Sequence, residues 1–130
     1  MKTSLKTLAL FILMCFSLIG RAEKLNVVCT EINNKQVQID CTVNLTLPNA
    51  NSHHGIIEIP YPKPLTLTTL YIDWRREGTC SYICKDSRNQ QYRVNFCDMG
   101  NFLGYEAILM LVAVHNGDDD KKISAYLLPK

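Results

Sequence analysis

Between Val37 and Leu47 the chain reads VQIDCTVNLTL, and Val37, Ile39, Cys41, Val43, Leu45 and Leu47 alternate with polar residues. A period of two puts the two sets on opposite faces of an extended strand, so this segment is expected to be half-buried, with Cys41 facing inward. LNVVC before it places Leu25, Val27 and Cys29 on one face, and EINNKQ between the two is a polar, asparagine-bearing turn. The pair reads as an antiparallel hairpin whose two cysteines are able to meet.

The same rhythm recurs downstream. Residues 48–66 interrupt it with Pro48, Pro60, Pro62 and Pro64, which cannot donate to a central ladder, so this stretch is expected to be an edge excursion or loop to which IIEI adds locally. In LTTLYIDWRREG, Leu70, Ile72 and Trp74 alternate, with Trp74 the heaviest expected anchor. CSYIC, a turn at KDSRNQ, and YRVNFC follow, then a DMGNFLG loop. YEAILMLVAV is expected to be a strand rather than a helix, because VAVHNGDDDKKISAYLL continues as strand, acidic turn and strand, with Ile123, Ala125 and Leu127 inward. About seven short strands without a convincing helix predict an all-β fold, an antiparallel β-sandwich.

The first residues bear on location. Lys2 and Lys6 precede LALFILMCFSLIG, too short to span a bilayer but suited to a signal-peptide core, with Gly20 and Ala22 before the expected cut. Residues 1–22 are thus expected to be a signal peptide and residues 23–130 one secreted domain. Loss of Lys2, Lys6 and Arg21 takes the 14 basic residues to 11 against 12 acidic ones, a formal charge of −1. Such a balance gives no footprint for nucleic acid or an anionic membrane, and no later apolar run is long enough for a membrane span.

Cys29, Cys41, Cys80, Cys84 and Cys97 remain after the leader, an odd number where an oxidising compartment favours bridges. Cys29 with Cys41, and Cys84 with Cys97, would each close a short loop worth about 3 kcal/mol. Cys80 is then left over, buried or bridging to a second chain as a homodimer, and it is equally able to take the place of Cys84. Neither a zinc site nor a redox pair fits the Cys80–Cys84 spacing.

This layout resembles the first fibronectin type III domain of the ligand-binding module of class I cytokine receptors. KLNVVC and VQIDC look like its first cysteine pair, Cys84 and Cys97 fall near its second, and Ala113 to Gly117 followed by a strand with Ser124 is similar to its end. Val43 stands where the family usually has tryptophan, Cys80 is extra, and the 130 residues carry no Trp-Ser repeat. The resemblance implies an immunoglobulin-like sandwich that captures an extracellular, cytokine-like protein ligand or receptor rather than one that signals. Its loops would make the contact: Phe102 and Leu103 as anchors, with Asn33, Asn34 and Lys35 on the rim.

Other groups point less far. If Ala107, Leu109, Leu111 and Ala113 face inward, Ile108, Met110 and Val112 form an apolar stripe facing out, a second candidate surface. Asn44-Leu45-Thr46 is a glycosylation sequon on the polar face of its strand. His53, His54 and His115 read as solvated, and Asp118, Asp119 and Asp120 lack the alternating oxygens of a calcium loop, so no metal or other cofactor is implied. No nucleophile, base and orienting acid assemble from the sequence, and a non-enzymatic role is expected. The alternative to protein capture is a small carrier whose strands enclose an apolar ligand, with the stripe as its lining, or a disulfide-linked structural dimer.

Overall fold

The computed structural model describes residues 23–37, 40–48, 54–102 and 104–129. The expected leader, together with Ile39, His53 and Leu103, lies outside them. Ten strands account for the regular structure: β1 (Glu23–Asn26), β2 (Cys29–Ile32), β3 (Lys35–Val37), β4 (Thr42–Thr46), β5 (Ile56–Ile59), β6 (Leu65–Arg76), β7 (Thr79–Lys85), β8 (Gln91–Phe102), β9 (Tyr105–Asn116) and β10 (Asp119–Pro129). They form one antiparallel sheet in the order β1-β4-β5-β6-β7-β8-β9-β10-β2-β3. The fold is therefore all-β, but as a single sheet curled into a half-barrel, where about seven strands in two layers had been expected.

From β4 to β10 each strand pairs with the next in sequence, a meander of hairpins. The first hairpin behaves differently because both its arms break. The expected first strand divides at Val27–Val28 into β1 and β2, and VQIDCTVNLTL divides before Thr42 into β3 and β4. Its open half, β1 with β4, joins β5 at one end of the sheet, while its tip, β2 with β3, joins β10 at the other. The tip turns at Asn33 and Asn34, at φ 50° and 65°, a left-handed pair that suits a two-residue hairpin turn and that asparagine tolerates. At the corner two consecutive amides point to opposite ends of the sheet: Val27 N–H donates to Cys41 O at 2.9 Å and Val28 N–H to Leu127 O at 2.9 Å. One bent hairpin thus draws the two ends of a long sheet together.

The concave face is the core. Val43 and Leu45 of β4, Ile57 and Ile59 of β5, Leu67 of β6, and Tyr82 and Cys84 of β7 line it with Val94, Phe96, Met110, Val112, Tyr126 and Leu128. Tyr82 and Phe96 meet edge to face, ring centres 5.8 Å apart. Ile108, Met110 and Val112 belong to this core, so the stripe expected on the outside is inside. Met110 and Val112 are fully buried, and Leu109, Leu111 and Ala113, which had been expected to face inward, are half-exposed on the convex face. A strand apolar on both sides has no preferred phase of its own. Here pairing of Met110 with Phe96 and Tyr126 fixes which side turns in.

The last strand is offset in the same way. The ladder between β9 and β10 shifts at Lys122–Ser124, so Ser124, Tyr126 and Leu128 face the core while Ala125 and Leu127 are buried on the convex side. Trp74 is not a core anchor either. It lies opposite Ser81 beyond a register shift, half-exposed, with the Arg76 guanidinium 5.2 Å from its ring centre. Gly55, at the entry to β5, is forced by space: a Cβ there would stand 2.2 Å from Thr46 O.

Closure at the corner is testable. Val28→Pro removes the amide that reaches Leu127 O, and is expected to lower stability by about 1–3 kcal/mol, read as an earlier urea midpoint. Val28→Ala keeps the amide and is the control. Equal midpoints for the two variants would mean that the corner bond does not hold the sheet ends.

Candidate functional site

One end of the half-barrel opens into a cleft of about 840 Å³. Five pieces of chain converge there: the β2–β3 turn at Ile32 and Asn33, the proline-flanked segment from Tyr61 to Pro64, the start of β6, the β7–β8 turn at Asp86 to Arg88, and Ile123 to Tyr126 of β10. Its floor is continuous with the core, since Ile59 and Tyr126 are buried and Leu65, Tyr92 and Ile123 pack against the same cluster. The rim is polar, with Lys63, Asp86, Ser87 and Arg88.

The cleft walls have their hydrogen bonds already made. Tyr126 donates its hydroxyl to Tyr61 O at 2.5 Å, tying the proline segment across the end of the barrel. Burial raises the Tyr126 pKa, only partly offset by the Ser124 hydroxyl, so the phenol stays a donor at neutral pH. Asp86 organises the opposite wall. Its Oδ1 accepts the amides of Arg88 at 2.8 Å and Gln90 at 3.0 Å, and its Oδ2 accepts the Tyr92 hydroxyl at 3.2 Å. Burial and the Asp86 charge together raise the Tyr92 pKa. Asp86 therefore fixes the turn that carries Arg88, as short polar side chains do in tight turns.

A second cluster sits on the convex face. Arg93 of β8 reaches Asp73 Oδ2 at 2.6 Å, Asp120 Oδ2 at 2.8 Å and Ser81 Oγ at 2.8 Å, while His115 Nδ1 meets Asp120 Oδ1 at 2.6 Å. Burial alone would lower the Arg93 pKa, but the two carboxylates raise it. Burial likewise works against ionised Asp120, and the bonds from His115 and Arg93 hold its pKa down. The cluster clamps β6, β8 and the β9–β10 hairpin from outside. Among the described residues no group of three or more His, Cys, Asp or Glu side chains is arranged to hold a metal.

Of the residues expected to form a protein-binding site, those described lie on two separate parts of the sheet. Asn33, Asn34 and Lys35 are exposed at the β2–β3 turn, and Asn33 also lines the cleft. Phe102 ends β8, its side chain outside the description, as Leu103 is altogether. Ile32, beside that turn, shares a cross-strand row with Ser124, Val112 and Val94, and Phe102 is eight residues from Val94 along β8, about 26 Å away. The backbone of Phe102 and the β2–β3 turn therefore lie at opposite ends of the barrel. Asn44 is half-buried between β1 and β5, its Oδ1 sealed without a hydrogen bond. The Lys63, Arg88 and Tyr126 site was missed by sequence reasoning. Its one local signal is a lysine and a tyrosine set among prolines, read only as a loop.

The expected bridges Cys29–Cys41 and Cys84–Cys97 are absent, and all five described cysteines are thiols. In the β7–β8 ladder Cys97 stands opposite Thr79 and Cys84 opposite Tyr92. The five-residue offset from Thr79 to Cys84 is about 17 Å, far beyond disulfide reach. Cys80, opposite Phe96, is the alternative to Cys84, but it turns to the other face from Cys97. Cys29 Sγ accepts Gln36 Nε2 at 2.9 Å, whereas the Cys41 thiol lies beside Thr30, the next residue along β2 and on its other face. Burial raises the Cys41 pKa; the Thr30 hydroxyl lowers it at close approach, though that hydroxyl is buried without a full hydrogen bond.

No protein-family model, curated protein or solved structure matches this chain.

Burial pushes the Cys84 pKa up to about 12 from its ordinary 9.0. The folded state then holds a proton that the unfolded chain releases, so stability is full below about pH 9 and falls as pH rises toward about 12. Denaturation of the wild type across this range is expected to show a steeper decline than Cys84→Ala, by up to about 1.4 kcal/mol per pH unit. Parallel curves would mean that Cys84 carries no titrating thiol.

Proposed function

We propose that this protein is a carrier of a small, largely apolar molecule held in the cleft at the open end of the half-barrel. The observation that carries the reading is the cleft itself: about 840 Å³, within the usual range for ligand sites, with the apolar core as its floor and a few polar groups at its mouth. The phenols of Tyr92 and Tyr126 support it, because their hydroxyls are engaged within the protein and their rings remain as apolar wall. No candidate nucleophile and base are part of the proposal, which is one of binding without catalysis. Secretion, expected from the signal-like residues 1–22, would suit a carrier that moves a poorly soluble molecule through water.

The neutral fluorophore phenylnaphthylamine is expected to bind with one-to-one stoichiometry. Ile123→Trp, which sets an indole into the cleft from a half-buried position, should weaken it about tenfold or more. Undiminished binding by a folded Ile123→Trp protein would place the probe elsewhere and remove the basis for the reading.

Capture of a protein, the role implied by the resemblance to cytokine-receptor domains, is a second proposal supported by a different surface. Tyr71 is 53% exposed on the convex register of β6, opposite Ile83, and Trp74, opposite Ser81 on the same side, has the Arg76 guanidinium over its ring. Tyrosine, tryptophan and arginine are the residue types that dominate interface energetics. A protein partner isolated with the wild type is expected to be lost, by about 2 kcal/mol of affinity, with Tyr71→Ala and Trp74→Ala together. Retained affinity in that double variant would reject this surface.

A further inference from the structure

We infer that the ligand of the cleft is an acidic single-chain amphiphile, its anionic head held by Lys63 and Arg88 and its apolar body laid against Ile59, Leu65 and Ile123. The inference rests on the carrier reading and deepens it by naming the chemistry of the ligand.

The charges around the cleft are unbalanced in what they offer a ligand. Lys63 and Arg88 both border the cleft, one in the proline segment and one in the β7–β8 turn, and both are exposed. Neither takes part in the ion pairs found among the described residues, those of Arg93, His115 and Lys122. The carboxylate that shares the cleft is Asp86, and both its oxygens are already engaged, by two backbone amides and the Tyr92 hydroxyl. A cationic ligand head would meet two like charges and a carboxylate already in use. An anionic head would meet an ammonium and a guanidinium fork with free donors.

The apolar part of the cleft sets the other half of the ligand. Tyr126 and Tyr92 border the space with their hydroxyls occupied, and Ile59, Leu65 and Ile123 offer no polar atom beyond the backbone. A small inorganic anion would leave that surface in contact with water. A neutral hydrocarbon would fill it but leave the two cations unused. An amphiphile of one chain and one acidic head uses both. The two cations belong to segments tied at their bases, Tyr61 by Tyr126 and Arg88 by Asp86, so the head site is held in place before a ligand arrives.

Calorimetric titration with laurate, dodecanol and dodecylamine, each below its micellar concentration, tests this. Laurate is expected to bind about tenfold more tightly than dodecanol, with dodecylamine the weakest. Lys63→Gln together with Arg88→Gln should bring laurate down to the affinity of dodecanol and leave dodecanol unchanged. Millimolar acetate should not displace laurate. Equal binding of laurate and dodecanol, or laurate binding indifferent to the double variant, would overturn the head-group assignment while the carrier reading stood. Competition by acetate would overturn it by showing that the apolar body is not recognised. Failure of all three amphiphiles to bind would overturn the carrier reading and this inference with it.

Discussion

The geometry of this protein depends on two neighbouring amides. Val27 N–H and Val28 N–H, one peptide apart, donate to carbonyls at opposite ends of a ten-stranded sheet, Cys41 beside β4 and Leu127 of β10. A meander of seven strands, β4 to β10, has a right-handed twist that brings its ends toward each other but supplies no bond between them. The bent first hairpin supplies that bond with ordinary backbone hydrogen bonds. It also covers edges that would otherwise present open ladders to other chains, leaving only the short strands β1 and β3 at the ends of the pairing order.

Closure makes the concave face a core. Side chains from β4 through β10 point into one space, and residues from opposite ends of the meander, Val43 and Tyr126, share a cluster. The convex face is stabilised in another way, by the Arg93 clamp to Asp73 and Asp120 with Ser81 and His115 beside it. Its exposed carboxylate partners are open to water, so this clamp contributes less than the core beneath it and orients the hairpins more than it holds them. The same curl explains the cleft. Where the β2–β3 turn, the β7–β8 turn and the proline segment meet, the half-barrel opens into the cleft. The bond from Tyr126 to Tyr61 O holds the proline segment at that opening.

Much of the local structure was legible from residue order. The alternation Val43, Leu45, Leu47 is buried as its period requires, and Asn33-Asn34 turns the first hairpin. YEAILMLVAV is a strand, and the acidic stretch at Asp118 joins it to the last one. Legibility ended where the decision was not local. In AILMLVAV both faces are apolar, so period two names two alternatives without choosing between them, and the neighbours Phe96 and Tyr126 made the choice. Cysteine spacing suggested bridges because loop lengths allow them, yet a ladder register places Cys84 and Cys97 five positions out of step. IIEI, read as a local addition, became an interior strand because β4 and β6 both found it.

By itself the sequence determined that this chain pairs strands: its periodicity, its turn residues and the absence of a long helical pattern leave no other regular structure. What only the tertiary structure decided is how the ends of those strands meet, which apolar face turns in, and that Lys63, Arg88 and Tyr126 border one cleft. Alternation is a property of consecutive residues, and the chain carries it wherever it goes. Closure, phase and cleft arise between residues up to about a hundred positions apart, such as Val28 and Leu127, and their geometry exists only after the sheet has curled.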